Sequence, residues 1–271
     1  MIKKVLTIAG SDSGGGAGIQ ADLKTFSAHG VYGMSVITAV TAQNTQEVKA
    51  VQDISPKLIG QQIEAVFEDL GVDAVKIGMV SQVESIKMIA KKLREYQPEF
   101  IVLDPVMVSK TGYTLLNPEA AATLIKELLP LATIITPNLY EAEIISDLKI
   151  ESLTAMEKAA KMIYEMGPQA VLVKGGHLKG EPLDVLFTKA NFTYYKSRRI
   201  VTRNTHGTGC TLSAAIAANL ALGFKLEQAV EKAKAYITTA IKYSLDLGEG
   251  AGPTNHFYDL YRKVGIKFGN N

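Results

Sequence analysis

The sequence has one cysteine, Cys210, in 271 residues, which excludes an intrachain disulfide and fits a reducing compartment. Neither sign of charge is in real excess. The 29 Lys and Arg against 27 Asp and Glu leave +2, too little to argue for nucleic acid or a membrane surface as partner. No apolar run approaches the ~18 residues that span a bilayer. Met1-Ile-Lys-Lys-Val5 runs straight into a strand, without the apolar core of a signal peptide. A soluble cytoplasmic protein is the expectation. The four histidines, at 29, 177, 206 and 256, show no metal-ligand spacing. No Gly/Ser/Pro-rich linker, charge run, internal repeat or low-complexity tract divides the chain, so residues 1–271 read as a single domain.

What is present is a core-forming pattern, 47% hydrophobic and 21% charged. Short β-branched runs alternate with longer amphipathic ones. Strands are predicted at 5–9, 31–41, 72–77, 100–104, 133–136 and 170–173, and an antiparallel meander at 183–188, 192–195 and 199–201. Helices are predicted at 19–28, from Ser55-Pro56 to Gly71, from a Ser81-Gln-Val-Glu84 capping box to Tyr96, and from Asn117-Pro118. Further helices follow at 152–166, 208–222 and 226–245. Strand–helix alternation argues for α/β architecture with a largely parallel sheet covered on both faces. In such sheets ligands bind outside the carboxyl ends of the strands. Gly10-Ser-Asp12, Gln43-Asn44, Asp104, Asn138 and Lys174 all fall there.

The segment Asn204-Thr-His-Gly-Thr-Gly-Cys-Thr211 carries the most chemistry. Gly207 and Gly209 precede an apolar helical run beginning near Thr208. Free backbone N–H groups and the positive end of a helix favour an anion such as a phosphoryl group. Cys210 sits in that entrance, where a helix N-terminus lowers a thiol's pKa and makes it a possible base. A lone cysteine is otherwise a small buried hydrophobe, and a glycine pair is otherwise loop punctuation. Their combination points to phosphoryl transfer to an alcohol.

Gly10-Ser-Asp-Ser-Gly-Gly-Gly-Ala-Gly18 fits neither a dinucleotide fingerprint nor a P-loop. Its glycines either turn the chain tightly or leave backbone exposed to a flat substrate. Asp104, Asn138 and Glu141 could each be structural, Asn138 as a helix cap. Together they could hold Mg²⁺ through water as hard oxygen ligands. Lys174-Gly-Gly176 places a cation beside flexible backbone, suited to nucleotide phosphates.

Several of these segments together resemble the hydroxymethylpyrimidine and hydroxymethylpyrimidine phosphate kinases of thiamine biosynthesis, in the ribokinase-like superfamily. The matching stretches are Leu6-Thr-Ile-Ala-Gly-Ser-Asp12, Gly15-Gly-Ala-Gly-Ile-Gln-Ala-Asp22, Val40-Thr-Ala-Gln-Asn-Thr45 and Lys76-Ile-Gly-Met79. They continue with Asp104-Pro-Val-Met-Val108, Thr136-Pro-Asn-Leu-Tyr-Glu-Ala-Glu143, Lys174-Gly-Gly-His177 and the 204–211 segment, in family order. The resemblance implies a three-layer α/β/α sandwich, ATP, Mg²⁺, a homodimer, and two successive phosphorylations of 4-amino-5-hydroxymethyl-2-methylpyrimidine. It implies that Gln43 hydrogen-bonds the pyrimidine, with Gly10, Ala17, Met79 and Val106 around the ring. Asp104 and Glu141 would serve the metal, and Lys174, Asn138 and Thr208 the nucleotide. Gly207, Gly209 and Cys210 would form the anion hole and base. The chain departs from the family pattern at Gly14, where relatives often carry a side chain, and at Tyr113, where an aspartate is common. The rival readings are a pyridoxal or pyridoxine kinase of the same superfamily, and a module that binds the pyrimidine without catalysis.

Overall fold

The alternation expected from the sequence is the scaffold of the computed structural model, which describes residues 1–107, 116–176, 180–189 and 191–266. The expectations for Val108, Tyr113 and His177 lie outside the described residues. Among the described residues nine strands form one sheet: β1 Lys4–Asp12, β2 Tyr32–Gln43, β3 Val48–Asp53, β4 Ala74–Ile77, β5 Ile101–Leu103, β6 Ile134–Ile135, β7 Ala170–Val173, β8 Leu183–Thr188 and β9 Asn191–Lys196. Their order is β3-β2-β1-β4-β5-β6-β7-β8-β9. The six strands from β2 to β7 in that order are parallel, and β3, β8 and β9 pair antiparallel at the two edges.

Helices α1 Gly18–Ala28, α7 Thr208–Ala221 and α8 Leu226–Lys242 pack together. Their core includes Phe26, Leu212, Ile216 and Ile237. The other helices are α2 Pro56–Asp69, α3 Val83–Tyr96, α4 Pro118–Glu127, α5 Leu139–Ser146, α6 Leu153–Tyr164 and α9 Tyr258–Lys263. A separate core joins Ile59, Ile89, Leu124, Ile145 and Ile163 of α2 to α6 with the sheet. Two apolar cores on the two faces of one sheet make the expected three-layer α/β/α arrangement. The buried strands read as continuous apolar runs because both of their faces are covered.

Four local readings change. The β2–β3 hairpin was not expected; Val48–Asp53 lies on an edge and carries no continuous apolar run. Residues 199–201 form no strand, because Arg199 is drawn sideways to donate to the carbonyls of Gly176 and Gly180. The Ser81 capping box does not form. Ser81 Oγ and Gln82 Nε2 both donate to the Asp53 carboxylate instead, and α3 starts on Gln82 without a side-chain cap. The last long helix ends at Lys242, and α9 follows where no helix was expected.

The sheet order also locates a crevice. β1 is flanked by β2 on one side and β4 on the other, so the chain winds away from β1 in both directions. Ligands collect outside the carboxyl ends of the strands at such a switch point. Beneath it, Lys76 of β4 and Asp22 of α1 are both fully buried, with Nζ 2.8 Å from Oδ2, and Thr7 Oγ1 of β1 donates to the same oxygen at 2.6 Å. Asp22 Oδ1 has no hydrogen-bond partner among the described residues. A buried pair ties elements together, and removing one member strands the other charge. Lys76→Met should therefore cost about 3–5 kcal/mol in urea unfolding, with most of it recovered in Lys76→Met/Asp22→Leu. A double variant as unstable as the single one would overturn this account.

Candidate active site

The glycine-rich loop after β1 wraps around its own carboxylate. Asp12, buried at the end of β1, accepts the N–H of Gly14 at 2.8 Å, Gly16 at 3.0 Å and Ala17 at 2.8 Å. Its Oδ2 also takes His206 Nε2 at 2.8 Å. Burial works against ionisation of Asp12, but the hydrogen bond and charge of His206 and these backbone donors outweigh it and hold the carboxyl below the usual range. Those amides are thus spent internally, which is why the loop is not a phosphate-binding P-loop.

The phosphate-type geometry lies instead at the start of α7. Gly207 is the N-cap in the left-handed region at φ 76°, and a side chain there would collide with the Gly16 carbonyl. Among the described residues the N–H groups of Gly207, Gly209 and Cys210 have no carbonyl or side-chain oxygen as acceptor. Thr208 Oγ1 folds back onto the Thr205 carbonyl at 2.8 Å. Every residue of α7 from Thr211 onward is buried, so the dipole of a long enclosed helix ends at this opening.

Against the opening stands a charged cluster built at three strand ends. Asp104, just past β5, accepts Lys174 Nζ at 3.0 Å, Ser213 Oγ at 3.2 Å and Thr136 Oγ1 at 3.2 Å. A Cβ added at Gly209 would lie 3.4 Å from Lys174 Nζ and 3.5 Å from Asp104 Oδ2, so the hole and the ion pair touch. Lys174 follows β7, and its loop is held where Asp184 accepts the Gly175 N–H at 3.0 Å. Burial opposes ionisation of Asp104, but Lys174 and Lys76 keep its carboxyl low. Asn138 and Glu141 form a reciprocal capping box on α5, each side chain bonded to the other's backbone N–H at 2.9 and 2.8 Å. Asn138 is therefore the helix cap that its sequence allowed. Burial, with Asp104 nearby, pushes Glu141 up to about 7 despite Lys174.

Of the residues expected around a ring, Gly10 lies directly under the Met79 methyl, and Ala17 caps α1. Val106 is half-buried in a tight turn onto the Asp104 carbonyl at 2.8 Å. Gln43 ends β2, half-buried, with Nε2 3.5 Å from His206 Nε2 and its backbone N–H on Ser13 Oγ at 2.8 Å. Sequence reasoning gave no role to Asp12, His206, Asp22, Lys76, Ser213 or Thr136. Asp12 had the right signal, a carboxylate at a strand end. His206 lay inside the most informative segment.

One expectation about chemistry is corrected. Cys210, half-buried at the helix entrance, is not a low-pKa thiol: loss of solvent around it pushes it up to about 11, and the nearby Lys76 charge and the Gly18 N–H only partly counter this. Loss of solvation outweighs the helix end.

Comparison with known proteins can now be set beside this geometry. Residues 12–255 match the family described as phosphomethylpyrimidine kinase. The chain belongs to this family. It is 56% identical over 261 residues to the hydroxymethylpyrimidine/phosphomethylpyrimidine kinase of Rhizobium meliloti, covering 95% of this chain and 98% of that protein. The crystal structure of a phosphomethylpyrimidine kinase from Clostridium difficile is 56% identical, with a TM-score of 0.81, and covers 89% of this chain and 100% of that one. A pyridoxal kinase from Staphylococcus aureus, solved with AMP-PCP and pyridoxal, is 38% identical with a TM-score of 0.88 and covers 94% of each chain. The fold is ribokinase-like, and like its phosphomethylpyrimidine kinase relatives the chain is an enzyme of the kinase class.

The shift of this chain's single thiol is directly checkable. In the folded state the thiolate forms only as pH approaches about 11, whereas an unfolded cysteine ionises near ~8.5. Iodoacetamide should therefore modify Cys210 more slowly in the native protein than in urea at mildly alkaline pH, with the native rate still climbing where the unfolded rate has levelled. Matching pH profiles would show that burial does not control this thiol.

Proposed function

We propose that this chain transfers the γ-phosphoryl group of ATP to the hydroxymethyl oxygen of 4-amino-5-hydroxymethyl-2-methylpyrimidine, and then to the resulting monophosphate, as one kinase domain of thiamine biosynthesis. The observation that carries this reading is the α7 entrance, where the N–H groups of Gly207, Gly209 and Cys210 have no acceptor among the described residues and Gly209 lies beside the Asp104–Lys174 pair. Such a hole is complementary to charge developing on the transferring group. In the transfer, the acceptor oxygen bonds to phosphorus, the bond to the β-phosphate oxygen breaks, ADP leaves and the hydroxyl proton passes to Cys210 Sγ. Gly207 and Gly209 supply the hole, and Lys174, Asn138 and Thr208 line the nucleotide side. Gln43 reads the ring edge between Gly10, Ala17, Met79 and Val106.

Among the described residues no group of three or more His, Cys, Asp or Glu is placed to cage a metal. Two buried carboxylates beside a phosphate site suit Mg²⁺, which takes one or two carboxylates and completes its shell with water and phosphate oxygens. Asp104 and Glu141 would hold it, and its charge would offset that of the phosphates. The homodimer rests on the family resemblance alone, and light scattering at the mass of one chain, 29.2 kDa, would remove it. A cytoplasmic setting fits the lone cysteine, and no helix among the described residues is long and apolar enough to cross a membrane.

The pyridoxal kinase reading has its own support, the closer overall superposition on the Staphylococcus aureus pyridoxal kinase. Incubation with ATP, Mg²⁺ and each ring separates the two. The pyrimidine should give a monophosphate followed by a diphosphate; pyridoxal phosphate formed over an inert pyrimidine would exchange the readings. Gln43→Leu should weaken pyrimidine binding by about 1–3 kcal/mol while sparing ATP, because a buried donor and acceptor are lost. Unchanged affinity would take Gln43 out of the ring site.

The base assignment predicts a difference between the two steps. With a pKa of about 11, roughly one Cys210 in 10⁴ is thiolate at neutral pH, so the first step should accelerate as pH rises above neutral. Cys210→Ala should slow that step about 10²–10⁴-fold and flatten its pH dependence. The monophosphate's acceptor oxygen is already ionised, since a phosphate monoester has its second pKa near ~6, so the second step should suffer far less. Equal losses in both steps would make Cys210 a positioning group.

A further inference from the structure

The two halves of the candidate site come from opposite ends of the chain, and one hydrogen bond joins them. Asp12 and His206 are 194 residues apart, yet His206 Nε2 lies 2.8 Å from Asp12 Oδ2, and both residues are buried. An ionised carboxylate only accepts, so the Nε2 proton belongs to this bond. The same Asp12 oxygen gathers the Gly16 and Ala17 N–H groups at 3.0 and 2.8 Å and fixes the loop that closes the ring pocket. His206 is the residue immediately before Gly207, the first free donor of the anion hole. Its backbone N–H is held from behind by the Gly252 carbonyl at 3.1 Å. Gly16 lies so flat against the His206 ring that any side chain there would strike it, and Gly207 is equally tight against the Gly16 carbonyl. The imidazole also stands 3.5 Å from Gln43 Nε2.

We propose that Asp12 and His206 form a positioning clasp that holds the anion hole in register with the ring pocket, so that the acceptor oxygen and the transferring phosphoryl group meet at bonding distance. Neither residue touches the reacting atoms. Their contribution is to fix two backbone segments against each other, and a misplacement of about 1 Å at such a point can cost on the order of 10²-fold in rate. This inference rests on the kinase reading of the site for its rate effect, but not for its structural effect.

The test compares His206→Gln with His206→Met. The two replacements are similar in bulk, and only glutamine keeps an N–H able to reach Asp12. His206→Met should lower kcat for the first phosphorylation by roughly 10–10²-fold while KM for ATP stays within about threefold, and His206→Gln should recover most of the loss. Alkylation of Cys210 by iodoacetamide supplies a readout that needs no turnover. It should be about tenfold faster in His206→Met than in the wild type and return toward the wild-type rate in His206→Gln, as local opening grows with the lost bond. Equal behaviour of the Gln and Met variants in either measurement overturns the clasp. A wild-type protein that phosphorylates neither ring sinks the kinase reading instead, and the alkylation comparison still decides the clasp.

Discussion

Buried charge is the constraint on which the rest of this structure depends. Asp22, Lys76, Asp104, Glu141 and Lys174 lie in or beside the floor of one crevice, and all but Lys174 are almost wholly enclosed. In a poorly solvated interior none of these groups is tolerable alone. The solution is pairing between different elements: Lys76 of β4 with Asp22 of α1, and Lys174 past β7 with Asp104 past β5. Each pair fixes the distance between a strand end and its neighbour, so the electrostatics that would serve a phosphoryl group also hold the crevice in shape. The account is not quite balanced. Glu141 is a third carboxylate with only a share of Lys174, and burial leaves it half-protonated near neutral pH. A divalent cation arriving with phosphate oxygens would complete that balance.

The same low polarity explains an otherwise awkward thiol. A helix end and a lysine both favour the thiolate of Cys210, yet the loss of water outweighs them. A thiol that stays protonated at rest reacts slowly with oxidants and alkylating agents, and on the proposed reading only its small thiolate fraction could accept a proton. The hole beside it needs no titration at all. Its donors are peptide N–H groups, fixed by the left-handed turn at Gly207 and by the packing of Gly207 on Gly16.

How much of this the sequence discloses depends on the distance over which each feature is encoded. The parallel sheet is legible because every buried strand carries its own apolar run, and the site residues at strand ends follow from that topology. The α7 entrance is legible because its glycines and cysteine are adjacent. Pairings between distant residues are not. Lys76 in the middle of a strand carries no sign that its counter-ion is Asp22, and His206 none that it meets Asp12. Local rules also lose to tertiary ones: Ser81 had the spacing of a cap, but Asp53 from the neighbouring hairpin captured it. Arg199 drew a strand-like run out of the sheet for the sake of two loop carbonyls. The low pKa expected of Cys210 failed for a related reason, since a helix terminus is visible in sequence and the depth of its burial is not.

The division of labour within the crevice bears on ring choice. On the proposed reading, phosphoryl chemistry is assembled from the α7 entrance, Asp104 and Lys174. On the same reading, the ring is met at the ends of β1, β2 and β4, through Gly10, Gln43 and Met79. The two sets meet through the Asp12–His206 bond, the packing of Gly16 on His206 and Gly207, and the approach of Gln43 to His206, so other side chains facing the ring could change while the transfer machinery keeps its geometry. Family members named for a pyrimidine and neighbours named for pyridoxal can then share one frame. On the proposed reading, the few residues at three strand ends, and the charge of the crevice beneath them, would decide which alcohol is phosphorylated.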